Sequence, residues 1–157
     1  MTMSREIYRP GGLSFNPYVA RRPVRGRVVA VMEGRLEDRG LELIAPPSRA
    51  LRQGEIHELI ATDETAARPG QRVDRISYLG FFEVTQGGVV LSGDPVRTSG
   101  RHLGQLAGFD LTHFPNHLNI IIFDPARSPG STSLSLGAEI VIGADPDEPR
   151  RRPTKGP

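Results

Sequence analysis

The sequence predicts an all-β fold, a single-domain antiparallel β-barrel, on three observations. The chain has 157 residues, which is near the size of one domain with one core. Glycine and proline contribute 18 and 14 residues while aromatic residues make up 6%, a balance typical of short strands joined by tight turns. Alternating apolar and polar segments recur at near-regular spacing. A closed barrel of about eight to ten strands is preferred to the alternative, a β-sandwich, because closure removes exposed strand edges.

Both ends of the chain are predicted to lie outside the barrel, which takes residues 24–143. Residues 1–23 are interrupted by glycine and proline and are predicted to form an irregular, extended N-terminal arm. Its apolar residues Leu13, Phe15 and Tyr18 would pack either on the barrel or on a second copy in a homodimer. Residues 144–157 hold almost nothing apolar and are predicted to be a flexible basic tail.

The first half of the barrel domain is predicted to supply three strands and one short helix. Val28, Ala30 and Met32 alternate with their neighbours in a first strand that begins near residue 25. Residues 41–45 form a second strand that ends at a pair of prolines. Residues 48–53 are the best helical candidate, at one to two turns. Residues 56–62 form a third strand.

The second half is predicted to be strands throughout. Residues 73–84 are the longest β-type run, and a Gln-Gly-Gly turn at 86–88 leading into residues 89–91 predicts a hairpin. Further strands are expected at 96–98, 102–109, 118–123 and 134–142. Helices able to cross between parallel strands are absent from this pattern, so a doubly wound parallel sheet is not expected.

Composition and charge exclude several classes of function. The chain has no cysteine, which rules out disulfides, thiolate metal sites and a cysteine nucleophile. Its net charge of +2 depends on four cations in the tail, so the barrel offers no basic face and no nucleic-acid partner is expected. No segment approaches the roughly 20 apolar residues that span a bilayer. We therefore expect no membrane association and a cytoplasmic protein.

The densest group of reactive side chains lies between two predicted strands, at residues 108–119. We predict that His113 or His117 acts as an acid or base, oriented by Asp110. Asn116 or Asn119 would hold a substrate oxygen. The structural alternative is that Asp110 closes an Asx turn with Thr112, that Asn116 caps it, and that both histidines are solvated.

Strand geometry gives this group a direction. Alternation places His117 and Asn119 on one face of the 118–123 strand and an all-apolar set on the other. The half-polar face would line the mouth of a ligand cavity in a wide barrel. Glu58 and Tyr78, on faces that are otherwise apolar, are further candidates for substrate binding. Burial would raise the pKa of Glu58, or of Glu83 on the next long strand, so that either could serve as a general acid or base. The structural alternatives are an arginine pair for the glutamates and core packing for Tyr78.

The same histidines support a metal-binding alternative. His113 and His117, with His102 and a carboxylate, would make a nitrogen and oxygen site for a divalent metal, as in cupin-like barrels. Pro115 argues against a helical pair of histidines, however, and no cupin-type motif is present. Our first expectation is therefore a site without metal or other cofactor.

One short segment resembles a known family. His113, Phe114 and Pro115 are similar to the His-Phe-Pro of hot-dog-fold dehydratases, in which the histidine is the base that removes water from an acyl chain. That family continues into a long central helix, whereas residues 118–123 here have a strand pattern. The activity is therefore not carried over.

Three hypotheses of function follow from the sequence. The first is a barrel that binds a small molecule and acts as a cofactor-free lyase, cyclase or isomerase. The second is a non-catalytic domain in which the 108–119 segment contacts a ligand or partner. The third is a cupin-like, metal-dependent enzyme.

Overall fold

The structure, a computed structural model, describes residues 17–144. The predicted tail beyond residue 144 and the predicted arm before residue 17, with Leu13 and Phe15, lie outside these residues. A homodimer formed through the arm therefore stays a prediction. Within the described range the elements are, in order, β1 Val24–Val31, β2 Arg35–Leu36, β3 Leu41–Glu42, β4 Ser48–Leu51, β5 Ile56–Thr62, β6 Arg72–Val73, β7 Ile76–Gln86, β8 Gly88–Leu91, β9 Pro95–Thr98, β10 Arg101–Asp110, β11 Asn119–Phe123, α1 Gly130–Ser133 and β12 Glu139–Ile142.

Seven strands form a closed barrel, which confirms the predicted all-β barrel over the sandwich. The strand order is β1, β12, β9, β10, β11, β5 and β7, and β7 pairs back onto β1. All of these pairs are antiparallel except β5 and β11, which run parallel. The barrel has fewer strands than the predicted eight to ten because β3 pairs with β6 and β4 with β8 in two ribbons outside it.

The inside of the barrel is filled by aliphatic and aromatic side chains. Ile120 and Ile122 of β11 face the interior and pack with Phe82 and Phe109, all fully buried. A barrel of about eight strands is only wide enough for side chains to fill. The all-apolar face of β11 is therefore the core, as its alternation predicts, but the half-polar face lies on the outer wall instead of lining a cavity.

A second apolar cluster lies on the outer wall. The β3–β6 ribbon places Leu41, Leu43 and Val73 against Ile60 of β5 and Ile121 of β11. This ribbon explains why apolar residues on both faces of these two strands are buried. The ribbon also covers the part of the outer wall that lies beside Glu58 and Asn119, the polar residues of β5 and β11 on the same face.

Glycine permits the close approach of two barrel strands at a bulge. The pairing of β1 with β7 shifts register between Val28 and Ala30, and a Cβ at Gly80 would overlap the carbonyl oxygen of Ala30. Bulges of this kind bend strands where a barrel closes. The pairing of β7 with β5 also shifts register, between Leu59 and Ile60, and Leu79 and Phe82 both pack in the barrel core while Tyr78 packs in the outer cluster.

Three local predictions were wrong. Residues 48–53 contain strand β4 instead of a helix, and β8 pairs with β4 and not with β7, so the predicted hairpin does not form. Of the predicted strand at 134–142, only Glu139–Ile142 forms a strand, β12. In each case a partner distant in sequence decides the structure, because short segments take their conformation from pairing more than from local propensity.

The described end of the N-terminal arm is attached to the barrel domain. Residues 17–23 form neither strand nor helix. Arg21 makes two hydrogen bonds to the Asp94 carboxylate, at 2.7 and 2.8 Å, and a third to the Val89 carbonyl oxygen. The two parallel hydrogen bonds between the Arg21 guanidinium and the buried Asp94 carboxylate fix the direction in which the chain enters β1. Between residues 17 and 144, the structure contains no helix with the length and apolarity needed to cross a membrane.

Candidate functional site

A row of side chains crosses four strands on the outer wall of the barrel. Phe81 of β7 pairs with Glu58 of β5, Glu58 with Asn119 of β11, and Asn119 with Asp110 of β10. Paired residues project to the same face of a sheet. The turn at residues 111–117 joins the last two of these strands and therefore lies directly beside the row.

Asp110 is a structural acceptor in this row. Its carboxylate accepts hydrogen bonds from the backbone N–H of Thr112 (2.9 Å), the backbone N–H of Glu42 (3.0 Å) and Asn119 Nδ2 (3.1 Å). Burial raises the pKa of the Asp110 carboxyl, but these hydrogen bonds more than offset burial and leave the pKa below its usual range. The Asx turn of the structural alternative is present. The donors that Asp110 binds are not histidines, which corrects the prediction that it orients His113 or His117.

Glu58 is the carboxylate that contacts a histidine. His117 Nε2 lies 3.2 Å from Glu58 Oε1, and Asn116 Nδ2 lies 2.9 Å from His117 Nδ1. Because the Asn116 amide donates to Nδ1, a neutral His117 carries its proton on Nε2 and donates it to Glu58. Asn116 and Glu58 thus hold both sides of the ring, so Asn116 orients a histidine where a substrate contact was predicted.

Burial drives the two partners toward their neutral forms. Loss of solvent raises the pKa of Glu58, an effect partly opposed by His113 and Arg39 and increased by Asp110. Burial also lowers the pKa of His117, an effect partly opposed by the neighbouring Asn119 side chain. A group that burial drives to keep its proton therefore touches one that burial drives to lose it.

Two acceptor atoms in the row have no hydrogen-bond partner. Glu58 Oε2 and Asn119 Oδ1 are both buried and unpaired, and their residues are 5% and 0% exposed. They belong to directly paired positions of β5 and β11. Unpaired buried acceptors are uncommon because each one costs free energy. A proton on Glu58 Oε2 or donors from a ligand would satisfy both atoms.

Aromatic rings and one arginine lie against the two histidines of the turn. The rings of His113 and His117 lie 5.0 Å apart, and Phe81 meets His117 edge-on at 4.9 Å. Arg39 Nη2 lies 3.5 Å from His113 Nε2. Residues 111–116 are exposed, so the turn covers the row without packing into the core.

Residues 18–143 match the sequence profile of a protein family, described as a family of unknown function, DUF6917. The chain belongs to this family. The matched range begins before β1 and ends just after β12, so the DUF6917 domain contains the whole barrel together with both outer ribbons. No curated protein and no solved structure matched the chain.

A second buried histidine of the DUF6917 domain was missed by the sequence analysis. His57 precedes Glu58 on β5 and is 6% exposed, and its Nδ1 accepts a hydrogen bond from the backbone N–H of Leu118 at 3.0 Å. Burial lowers the pKa of His57. The alternation of β5, which faces Leu59 and Ala61 inward, was the available signal that His57 is buried.

Phe81 and Arg39 were also missed, and Arg39 gave no signal in its local sequence.

The remaining predicted residues are not brought to the row. His102 lies at the opposite end of β10 from Asp110, paired with Arg97, which puts it about 25 Å away along the strand. It cannot complete a metal site with His113 and His117. Within residues 17–144 no group of three or more histidines and carboxylates is placed to hold a metal ion. Tyr78 pairs with Ile60, and its role in substrate binding stays a prediction.

Two grooves lie elsewhere on the DUF6917 domain, along the β4–β8 ribbon. The larger has a volume of about 740 Å³ and is lined by residues that include Arg22, Arg52 and Glu55. The smaller, of about 310 Å³, is lined in part by Tyr18 and Arg49. Neither groove includes a member of the row, so the titratable cluster and the open grooves are separate features.

Proposed function

We propose that the protein is a small-molecule-binding barrel whose ligand binds on the outer wall, under the 111–117 turn. The observation that carries this proposal is the pair of unpaired buried acceptors, Glu58 Oε2 and Asn119 Oδ1. A ligand that donates hydrogen bonds to both would remove the cost of leaving them unpaired. The filled interior directs the proposal to the outer wall.

The cover of the proposed site is suited to opening. His117 contacts Glu58, and it belongs to a turn whose residues 111–116 are exposed. Rotating His117 away from Glu58 breaks its hydrogen bonds to Glu58 and Asn116 and its edge contact with Phe81, but no contact in the barrel core. A ligand that forms two new hydrogen bonds in the opened site offsets that loss.

A fragment screen followed by NMR tests the proposal. We expect at least one class of small polar fragment to shift the amide signals of Asn119 and His117 and to leave the methyl signals of Ile120 and Ile122, inside the barrel, unchanged. Fragments that shift only residues of the β4–β8 grooves, or none at all, would contradict the proposed site. The variant Glu58→Gln should lose the response, while Glu83→Gln, a substitution on β7, should keep it.

Acid–base catalysis is a second candidate, favoured by one observation. Burial shifts the pKa values of Glu58 and His117 in opposite directions, and a cofactor-free isomerase or lyase needs such a pair. In this case Glu58 and His117 would replace the predicted pair of Asp110 and histidine. Under catalysis, His117→Gln lowers turnover of a bound compound by about 10²-fold or more, whereas under simple binding the compound is recovered unchanged from the wild-type protein.

A further inference from the structure

We infer that the ligand of this site is an organic cation with at least two N–H donors, such as an amidinium or guanidinium group. The inference rests on the proposed function and adds the chemical class of the ligand. Both unpaired atoms, Glu58 Oε2 and Asn119 Oδ1, are acceptors, so the missing partner has to donate twice. An anionic or purely accepting group would leave both acceptors unpaired.

The buried carboxylate favours a cation over a neutral donor. Burial disfavours the negative charge of Glu58, His113 and Arg39 only partly oppose that effect, and the Asp110 carboxylate adds to it. A cationic head group supplies donors and a counter-charge together, and charge-assisted hydrogen bonds are about twice as strong as neutral ones. A neutral amide supplies donors only.

The positive groups nearby leave the buried acceptors free for the ligand. Arg39 points its Nη2 at His113 Nε2 and is not a hydrogen-bond partner of Glu58 Oε2, which has none. His117 occupies only Oε1. On the other side of Glu58 lies Phe81, which is partly exposed and offers an aromatic surface to a planar ligand.

Binding of a cation is expected to compete with a proton. In the absence of ligand, a proton on Glu58 Oε2 would let this oxygen donate to the adjacent Asn119 Oδ1 and satisfy both atoms. The groups that face Glu58 are His117 and His113 from the turn, Arg39 from the segment before β3, and Asp110 from β10. Since a cation binds the ionised carboxylate, its affinity should rise with pH as Glu58 loses its proton.

Three isosteric probes test the inference: benzamidinium, benzamide and benzoate share a ring and differ in the charge and donors of the head group. Each is titrated into the full chain, and binding is followed through the NMR signals of Asn119 and His117. We expect benzamidinium to bind at least about tenfold more tightly than the other two, a difference of about 1.4 kcal/mol. Its affinity should be higher at about pH 8 than at about pH 5.

Two variants make the result specific to Glu58. Glu58→Gln removes the charge and lets the new amide donate to Asn119 Oδ1, so we expect the advantage of benzamidinium to fall at least about tenfold. Glu83→Gln removes a glutamate of β7 that pairs with Ile56, and it should leave the affinity unchanged.

The outcomes of the three titrations distinguish a failure of the cationic ligand class from a failure of the outer-wall site. If benzoate or benzamide shifts Asn119 and His117 as strongly as benzamidinium, the cationic class is wrong and the outer-wall site stands. If none of the three probes shifts these signals, the inference is overturned, and the broader fragment screen decides the proposed function independently. Benzamidinium binding that Glu58→Gln leaves intact would also overturn the inference.

Discussion

At the scale of single residues, Glu58 is buried where its ionised, negatively charged form is disfavoured. The folded chain keeps the Glu58 proton to a higher pH than the unfolded chain, whose pKa is near the ordinary value of 4.5. Stability therefore falls as pH rises from about 4.5 through the folded pKa. A residue that costs stability at neutral pH is expected where function, not folding, accounts for its presence.

Replacing Glu58 by glutamine should stabilise the free protein. The new side-chain amide keeps an acceptor for His117 and gives a donor to Asn119 Oδ1, so we expect the free energy of unfolding to rise by about 1 kcal/mol at pH 7. The gain should shrink in acid, where wild-type Glu58 is protonated. Urea denaturation at several pH values measures both effects, and a glutamine variant less stable than wild type at neutral pH would contradict this account.

His57 should make the fold sensitive to acid. Its Nδ1 accepts the Leu118 N–H only while the ring is neutral there, and burial lowers its pKa from 6.5. The unfolded chain then binds the proton more readily, so stability is complete above about pH 6.5 and is lost as pH falls below it. His57→Leu should lose about 1–3 kcal/mol at pH 7 because the Leu118 N–H is left unpaired.

A matched substitution separates this effect from general loss of histidine. His102→Leu changes an exposed residue at the start of β10, and it should alter stability by less than about 0.5 kcal/mol. Thermal or urea unfolding of the two variants gives the comparison. Equal losses in both variants would show that the Leu118 hydrogen bond does not stabilise the barrel.

At the scale of elements, Asp110 joins the β3–β6 ribbon to the barrel. One of its oxygens binds the N–H of Glu42 in β3, and the other binds Thr112 and Asn119. We expect Asp110→Ala to cost about 2–3 kcal/mol, since at least one of the released donors is buried. The amide of Glu42 should lose protection from hydrogen exchange. Unchanged protection at Glu42 would show that apolar packing alone holds the ribbon.

The low pKa of Asp110 means that its contact with the ribbon is weakened only in strong acid, where the carboxyl takes up a proton. Its carboxyl ionises below its usual pKa, so the stability it contributes is present above pH 3.8 and is lost as pH falls through the folded pKa. The loss from His57 begins at a higher pH, near 6.5. Asp110→Asn should therefore remove the loss that begins below pH 3.8 and leave the one that begins near pH 6.5, as urea denaturation at several pH values would show.

The sequence predicted elements better than it predicted their partners. The alternation of β5 and β11 is correct residue by residue, because two-residue periodicity is local. Residues 48–53 have ordinary helical composition, yet they include β4 because β8, some forty positions later, pairs with them. The contact of Glu58 with His117 likewise depends on the parallel pairing of β5 and β11, which no local pattern encodes. Sequence analysis therefore found both residues but assigned Asp110 as the partner of the histidine.

At the scale of the whole molecule, stability depends on a barrel interior without space for a ligand. Phe82 is fully buried there, and Phe114 on the outer turn is 51% exposed. We expect Phe82→Ala to cost about 3–5 kcal/mol through loss of burial and the cavity it leaves. Phe114→Ala should cost less than about 1 kcal/mol, and similar losses in the two variants would contradict a packed interior.

Cytoplasmic localisation stays a prediction.

The single parallel pair of the barrel has a consequence for synthesis on the ribosome. β5 and β7 are near neighbours in the chain and can pair early in synthesis. The other edge of β5 pairs only after β11 has been made, and one edge of β1 pairs only after β12 has been made. Until residue 142 has left the ribosome, the growing chain carries unpaired strand edges and exposed Ile and Val side chains. Such edges bind other chains readily. A stalled or truncated product of this sequence should therefore be a strong client for molecular chaperones, although the finished barrel leaves these same edges paired.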